Sequence, residues 1–122
     1  MNCADAADRT FDRGAGRRRL EFGILIFMYM VVSRWKALPG HEDEFEQIGR
    51  STRDKLSGIP GVEFLKAFDA GDYKVVVHGY ADEPTYHKLV DDPNGAIAQA
   101  MKDENVEGVG EWIGSDRGET VE

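Results

Sequence analysis

Two imidazoles and two phenols lie close together within residues 78–87. His78 and Tyr80 are two residues apart in an apolar run, and Tyr86 and His87 follow them. Residues two apart on a strand point to the same side of a sheet, so His78 and Tyr80 would face a common space. An imidazole and a phenol beside an apolar pocket can position a substrate or move a proton. We therefore take His78 and Tyr80 as candidate catalytic residues.

The same side chains also admit a structural interpretation. Tyr80 and Tyr86 would then be core aromatics, His78 a hydrogen-bonded core residue and His87 a solvated helix residue. Trp35 and Trp112 would contribute to the core or to a dimer contact, although Trp35 and Tyr86 could equally bind a substrate. A closed, ligand-sized cavity between the sheet and the helices, with His78 or Tyr80 pointing into it, would favour the functional interpretation. An interior packed solid by Tyr, Leu and Met side chains would favour the structural one.

The sequence holds no pattern typical of a metal or cofactor site. Its three histidines are scattered, with His41 beside acids in a helix start, and Cys3 is the only cysteine. Neither zinc-ligand spacing nor a glycine-rich phosphate loop nor a nucleophile elbow is present. We expect no metal and no cofactor.

Length and charge restrict the partners. The chain has 122 residues, of which 41% are hydrophobic, so we expect a single folded domain with a small core. Its formal net charge of −8 disfavours nucleic acid and anionic membranes as partners. With one cysteine no intrachain disulfide can form, which suits the cytoplasm. The apolar run at residues 20–32 follows three arginines but is too short to span a bilayer as a helix, so we expect no membrane association.

The elements that must position these residues follow the order β-α-β-β-α-β. Aromatic and β-branched runs predict the strands, apolar residues at helical spacing predict the helices, and Asp82 is a predicted helix N-cap. Pro93 should break the second helix. The predicted strands are 27–35, 62–68, 73–80 and 106–113; the predicted helices start at 42 and 83.

This order is the split βαβ pattern of the ferredoxin-like fold, an α+β fold with a four-stranded antiparallel sheet and two helices on one face. We place the domain at residues 28–114, after a flexible N-terminal extension at 1–27 and before a polar tail at 115–122. The first strand is apolar on both faces, with Met30 and Val32 alternating with Tyr29 and Val31. A second copy would cover the back of the sheet, so we expect a homodimer that forms a dimeric α+β barrel.

Three segments of the chain resemble the antibiotic biosynthesis monooxygenase-like domains of the dimeric α+β barrel superfamily. They are WKALPGHEDEF at Trp35–Phe45, IPGV at Ile59–Val62, and the strand, acid-capped helix and DDP at residues 75–93. The resemblance implies the fold and an apolar, aromatic-lined pocket in each protomer. The superfamily includes cofactor-free monooxygenases, haem-degrading proteins and stress-responsive barrels.

The haem-degrading members have an Asn on strand one and a Trp and a His on helix two. Ser33, Leu89 and Gln99 stand at those positions here, so the resemblance disfavours haem degradation. Ser33 and Leu89 instead become candidate substrate-binding residues. Two hypotheses stay open: a dimeric module that binds a small apolar or aromatic molecule without catalysis, and a cofactor-independent monooxygenase or isomerase acting on an aromatic or polyketide-like substrate.

Overall fold

The computed structural model describes residues 17–19 and 25–121 of the chain. A four-stranded antiparallel sheet and a layer of helices form most of it. The elements are strands β1 (Arg17–Arg19), β2 (Leu25–Phe27) and β3 (Tyr29–Ala37), helix α1 (Glu42–Leu56), strands β4 (Val62–Ala70) and β5 (Tyr73–Tyr80), helix α2 (Glu83–Tyr86), a π-helical turn (His87–Asp91), helices α3 (Ala96–Asp103) and α4 (Val106–Val109), and strand β6 (Gly110–Glu119).

The strand order in the four-stranded sheet is β4-β5-β3-β6, and every neighbouring pair is antiparallel. This is the order of a ferredoxin-like sheet, in which the first and third strands lie in the centre. The α+β fold class predicted from the sequence is therefore confirmed. Strands β3 and β5 are the central strands, so their side chains have neighbours on both sides.

Turns and caps form where the sequence predicts them. Gly71 has a φ of 71° in the tight turn between β4 and β5, a conformation that favours glycine. The side chain of Asp82 accepts a hydrogen bond of 2.9 Å from the Thr85 backbone N–H and so caps α2. The predicted break at Pro93 is also confirmed, because the second helix is divided into α2, the π-helical turn and α3.

The last strand differs from the prediction. Residues 106–109, predicted as its start, form helix α4, because Val106 and Val109 are three residues apart and both are buried on one helical face. Asn105 starts this helix in the left-handed conformation, with a φ of 59°. Strand β6 then continues to Glu119 and pairs with β3, so residues 115–119 belong to the sheet rather than to a polar tail.

The predicted N-terminal extension, residues 1–27, falls mostly outside the described residues. Of its described part, β1 and β2 pair antiparallel as a separate two-stranded sheet, although no regular structure was predicted for residues 17–19. Met28, the residue after β2, is held to the end of the chain. Its carbonyl accepts a hydrogen bond from the Thr120 N–H at 2.8 Å, and its N–H donates to Thr120 Oγ1 at 3.0 Å.

The core lies between the sheet and the helices. Its buried members come from the strands (Tyr29, Val31 and Tyr80) and from the helices (Leu56, Tyr86 and Ile97). Within the described residues, no helix is both long enough and apolar enough to cross a membrane.

The opposite face of the sheet, which points away from the described helices, is apolar at many positions. Val32 pairs with Val77 there, and Phe68 pairs with Val75. Gly79 pairs with Phe64 on the same face, and the Phe64 ring packs over the glycine. A Cβ added at Gly79 would come within 2.6 Å of that ring. Phe68 is 55% exposed, so this face offers apolar surface that the single chain leaves open to solvent.

Candidate functional site

The site is built on the face of the sheet that the helices cover. Register brings residues from three strands side by side in rows: Val31 pairs with His78 and Arg117, Ser33 pairs with Val76 and Ser115, and Trp35 pairs with Lys74 and Trp112. Paired residues of neighbouring strands point to the same side of a sheet, and side chains two residues apart on one strand do so too. The side chains of all three rows therefore share one face. Polar groups from β3, β5 and β6 therefore meet beneath the helices.

A line of hydrogen bonds crosses the three strands. Tyr80 Oη lies 2.7 Å from His78 Nδ1, and His78 Nε2 lies 3.2 Å from Ser33 Oγ. Ser33 Oγ in turn lies 2.9 Å from Ser115 Oγ. The indole Nε1–H of Trp112 donates to Ser115 Oγ at 2.9 Å. An indole N–H can only donate, so Trp112 fixes the direction at one end of the line. Ser115 can then donate to Ser33, and Ser33 to His78 Nε2, so that all the hydrogen bonds run toward Tyr80.

Burial sets the protonation states along this line. It lowers the pKa of His78 to about 4, so the imidazole is neutral at neutral pH. Burial, with a smaller contribution from Tyr86, raises the pKa of the Tyr80 phenol, so this hydroxyl keeps its proton. The line is therefore uncharged, and the tautomer of His78 decides whether Tyr80 presents its O–H or only its lone pairs to a neighbour.

A cavity of about 780 Å³ lies between the sheet and the helices. The polar line forms part of its floor, through Ser33, His78, Tyr80 and Ser115, and apolar side chains from α1, α3 and α4 form its roof. Exposed residues stand at its rim, including Trp112, whose side chain is 57% exposed. The volume is within the range of small-molecule sites, and an apolar wall with a few convergent polar groups is typical of them.

Two basic residues on the wall differ in their surroundings. Lys74 is buried, and its Nζ lies 2.7 Å from Glu46 and 2.8 Å from Asp69. Burial lowers the pKa of Lys74, but the hydrogen bonds to Asp69 and Glu46 outweigh it, so the net shift is upward. Arg117 donates from Nη1 to Tyr86 Oη at 3.0 Å, and its guanidinium carbon lies 5.4 Å from the centre of the Tyr86 ring.

Five of the six predicted site residues line this cavity: Ser33, Trp35, His78, Tyr80 and Tyr86. Leu89, the sixth, does not. It packs against the core, and its Cδ1 would lie 3.2 Å from a Cβ added at Gly61. The π-helical turn directs Val90 and Asp91, rather than Leu89, toward the cavity. His78 and Tyr80 both line this cavity, which is partly open to solvent rather than closed.

Two residues that line the cavity, Ser115 and Arg117, were not predicted from the sequence. Both were assigned to a polar tail, because the segment after Ile113 has no apolar alternation. The signal that could have found them is polar alternation: Ser115 and Arg117 are two residues apart and, by register, lie on the helix-facing side, whereas Asp116 lies between them on the other side.

The other two histidines lie outside the cavity wall. His87 contacts Asp91 through Nδ1 and Glu83 through Nε2, the latter at 3.1 Å, and its side chain is 42% exposed. His41 Nδ1 lies 2.6 Å from Glu44 at the start of α1. In the described part of the chain, no three His, Cys, Asp or Glu side chains are grouped so that they could hold a metal ion.

Several solved structures share this fold. SnoaB from Streptomyces nogalater, a cofactor-independent oxygenase, matches with a TM-score of 0.56 at 13% identity over 78% of this chain and 92% of SnoaB. A candidate antibiotic biosynthesis monooxygenase from Chloroflexus aurantiacus J-10-fl matches with a TM-score of 0.59 at 14% identity, covering 78% and 94% of the two chains. The chain thus has the fold of the antibiotic biosynthesis monooxygenase-like proteins, as its motifs predict.

A third structure shares this fold without an assigned role. NE2512 from Nitrosomonas europaea, a protein of unknown function, matches with a TM-score of 0.61 at 20% identity over 80% of this chain and 92% of NE2512. The sequence itself matches no protein-family model and no curated protein. At these identities the likeness establishes the fold alone, so the function has to be argued from the cavity.

Proposed function

We propose that the protein is a homodimeric binding protein for a small apolar or aromatic molecule, which occupies the cavity between the sheet and the helices. The observation that carries this proposal is the cavity itself, about 780 Å³ with an apolar roof and the Ser33–His78–Tyr80 line in its floor. A core serving stability alone would fill this space, because protein interiors are close-packed. The polar line would orient a ligand that carries a carbonyl or hydroxyl group.

The test is titration with N-phenyl-1-naphthylamine, a neutral aromatic probe whose fluorescence rises in apolar surroundings. Ala98→Phe places a ring in the cavity from α3, whereas Ala96→Phe places the same ring on an exposed position two residues away. We expect Ala98→Phe to weaken probe binding at least about tenfold and Ala96→Phe to leave it unchanged. Equal binding by the wild type and both variants, or no binding by the wild type, would refute the proposal.

The second candidate is a cofactor-independent monooxygenase or isomerase that uses the same cavity. It is favoured by the contact of His78 with both Tyr80 and Ser33, and by the fold shared with SnoaB, which is such an oxygenase. In the oxygenation, a methylene group of the substrate loses a proton, its carbanion reacts with O2, and the products are a carbonyl group and water. A base must take up the methylene proton and return it to the oxygen atom that leaves as water, and the neutral imidazole of His78 is the group in the cavity floor that can do this.

We favour the binding function over the enzyme because His78 is a weak base. A pKa of about 4 keeps the imidazole ready to accept a hydrogen bond, but it makes the ring a weak base at neutral pH. Both ring nitrogens are also engaged by protein hydroxyls. Oxygen consumption with an anthrone probe distinguishes the candidates: turnover that His78→Ala lowers about 10² to 10⁴-fold would establish the enzyme.

The homodimer is proposed on the open apolar face of the sheet, where Val32, Val77 and Phe68 lie. A second sheet packed on this face would remove that surface from water. Sedimentation equilibrium of the full chain at about 10 to 100 μM should give a dimer, and Phe68→Glu should weaken it. A wild-type monomer in this range, or a dimer that Phe68→Glu leaves unchanged, would contradict this interface.

A further inference from the structure

Charge is distributed unevenly between the cavity and the rest of the molecule. The whole chain has 23 acidic and 15 basic residues. The charged residues that line the cavity reverse this balance: Arg53, Lys74, Lys102 and Arg117 are basic, and Asp91 and Glu107 are acidic. An acidic protein thus has one concave surface where basic residues predominate, and such a surface concentrates anions.

Two of these charges are already matched by protein groups. Lys74 is held between Glu46 and Asp69, and Asp91 is in contact with His87. Arg117 has no carboxylate partner within ion-pair distance among the described residues. The pKa of Arg117 is raised first by its hydrogen bond to Tyr86 and only to a smaller extent by the charge of Asp91. A cation on the cavity wall that forms no ion pair within the protein is what a ligand carboxylate requires.

Arg117 is also the basic side chain with the best-defined support. Its Nη1–H donates to Tyr86 Oη at 3.0 Å, and its guanidinium lies against the Tyr86 ring. Tyr86 is only 5% exposed, with its ring centroid 5.2 Å from the centroids of Tyr29 and Tyr80. A guanidinium has five N–H donors, so the contact with Tyr86 leaves others for a planar, bidentate acceptor. Arg53 differs, because its Nη1 folds back over Gly49 of its own helix.

We propose that the cavity selects aromatic acids, and that Arg117, supported by Tyr86, binds the ligand carboxylate while the ring system lies against the apolar wall. This inference rests on the proposed binding function, since it names the class of ligand. Tyr86 is a positioning residue here, because it holds Arg117 and need not touch the carboxylate. Neutral aromatics of the same shape would enter the same cavity but would lack this contact.

The experiment measures how well 1-naphthoate and 1-naphthamide displace N-phenyl-1-naphthylamine from the full-length protein. The two competitors have the same ring system and nearly the same shape, but only naphthoate is charged at neutral pH. We expect naphthoate to bind about tenfold more tightly than naphthamide to the wild type, as for one charge-assisted contact at a partly exposed site. The preference should decrease with added salt.

Arg117→Gln should abolish the preference, so that naphthoate and naphthamide displace N-phenyl-1-naphthylamine equally well; because the two competitors are compared within one variant, a changed affinity for the probe does not affect this result. Arg117→Lys should retain part of the preference. The matched control is Arg50→Gln, which removes the same charge from an exposed position of α1 outside the cavity wall and should change nothing.

Failure of this inference differs from failure of the binding function. If the wild type does not bind N-phenyl-1-naphthylamine at all, the binding function is wrong. If it binds the probe but naphthoate and naphthamide displace it equally, only the selection of acids is wrong. A preference that survives Arg117→Gln and is lost in Arg53→Gln would overturn the assignment to Arg117.

Discussion

His78 and His87 lie nine residues apart, yet their surroundings are opposite. His78 is on the central strand β5 beneath the helices, where hydroxyl groups are its hydrogen-bond partners. His87 is in the π-helical turn at the surface, between the carboxylates of Glu83 and Asp91. Burial lowers the pKa of His78 to about 4, whereas the hydrogen bonds to Asp91 and Glu83 raise the pKa of His87. The residue type is the same, so the opposite shifts come from the surroundings: burial at His78 and carboxylate partners at His87.

The comparison separates a ligand site from a structural clamp. A neutral imidazole in a cavity floor can exchange hydrogen bonds with a ligand without the cost of a buried charge. A surface imidazole between two carboxylates, each four residues away along the helix, holds successive turns together. The predictions below test each histidine against the other.

The largest expected effect is the pH dependence that His78 gives to stability. Its pKa is lower in the folded protein than in the unfolded chain, so the unfolded chain takes up a proton first as the pH falls. The contribution is fully present above about pH 6.5 and is lost as the pH falls toward 4, by up to about 3 kcal/mol. His78→Gln, which cannot titrate, should lack this component when denaturant unfolding of both proteins is compared over this range.

The other titrating groups are common to both proteins and cancel in that comparison. NMR titration of the His78 ring provides a direct check, with a midpoint near pH 4 expected. A midpoint near 6.5 would mean that solvent reaches the ring freely, and the neutral floor of the cavity would have to be abandoned.

A smaller effect is expected for His78→Ala at neutral pH. The substitution leaves the Tyr80 and Ser33 hydroxyls without their shared partner and enlarges the cavity, which should cost about 1 to 3 kcal/mol. Thermal unfolding should shift downward by roughly 4 to 8 °C per kcal/mol. His87→Ala is the matched control and should melt much closer to the wild type; similar losses in both variants would remove the distinction between the two sites.

The difference between the two histidines could be predicted only in part from the sequence. The period of two placed His78 and Tyr80 on one face, and the structural interpretation of the sequence made His87 a solvated helix residue. The extension of β6 was missed, since Ser115 and Arg117 lie in a polar, glycine-containing segment that gives no local strand signal. Pairing with β3 stabilises that segment, and such tertiary pairing outweighs local propensity. Leu89 was misplaced because a π-helical turn shifts which residues face inward.

Tyr80→Phe should have a more modest effect, because it removes one hydroxyl from the line and keeps the ring. His78 Nδ1 would lose its partner in a buried position, at a cost of about 1 kcal/mol in unfolding free energy. Tyr86→Phe is the matched control, since the Tyr86 hydroxyl contacts the exposed Arg117, which water can solvate instead. Urea unfolding of the two variants should give a larger loss for Tyr80→Phe, and the reverse order would contradict the role of Tyr80 in a buried line.

The smallest effect is expected at His87, and its sign is opposite to that at His78. The pKa of His87 is higher in the folded protein, so its contribution to stability is present below the unfolded value of about 6.5 and is lost as the pH rises through the folded pKa. Both carboxylates are solvent-exposed, which limits the size of the contribution.

In an NMR titration, Asp91→Asn should lower the His87 midpoint more than Glu83→Gln does, because the hydrogen bond to Asp91 is the larger cause of the shift. Neither variant should move the His78 midpoint, since His78 responds to burial rather than to these charges. If Asp91→Asn left His87 unchanged, the carboxylate clamp would be wrong, and the contrast between the two histidines would then reduce to burial alone.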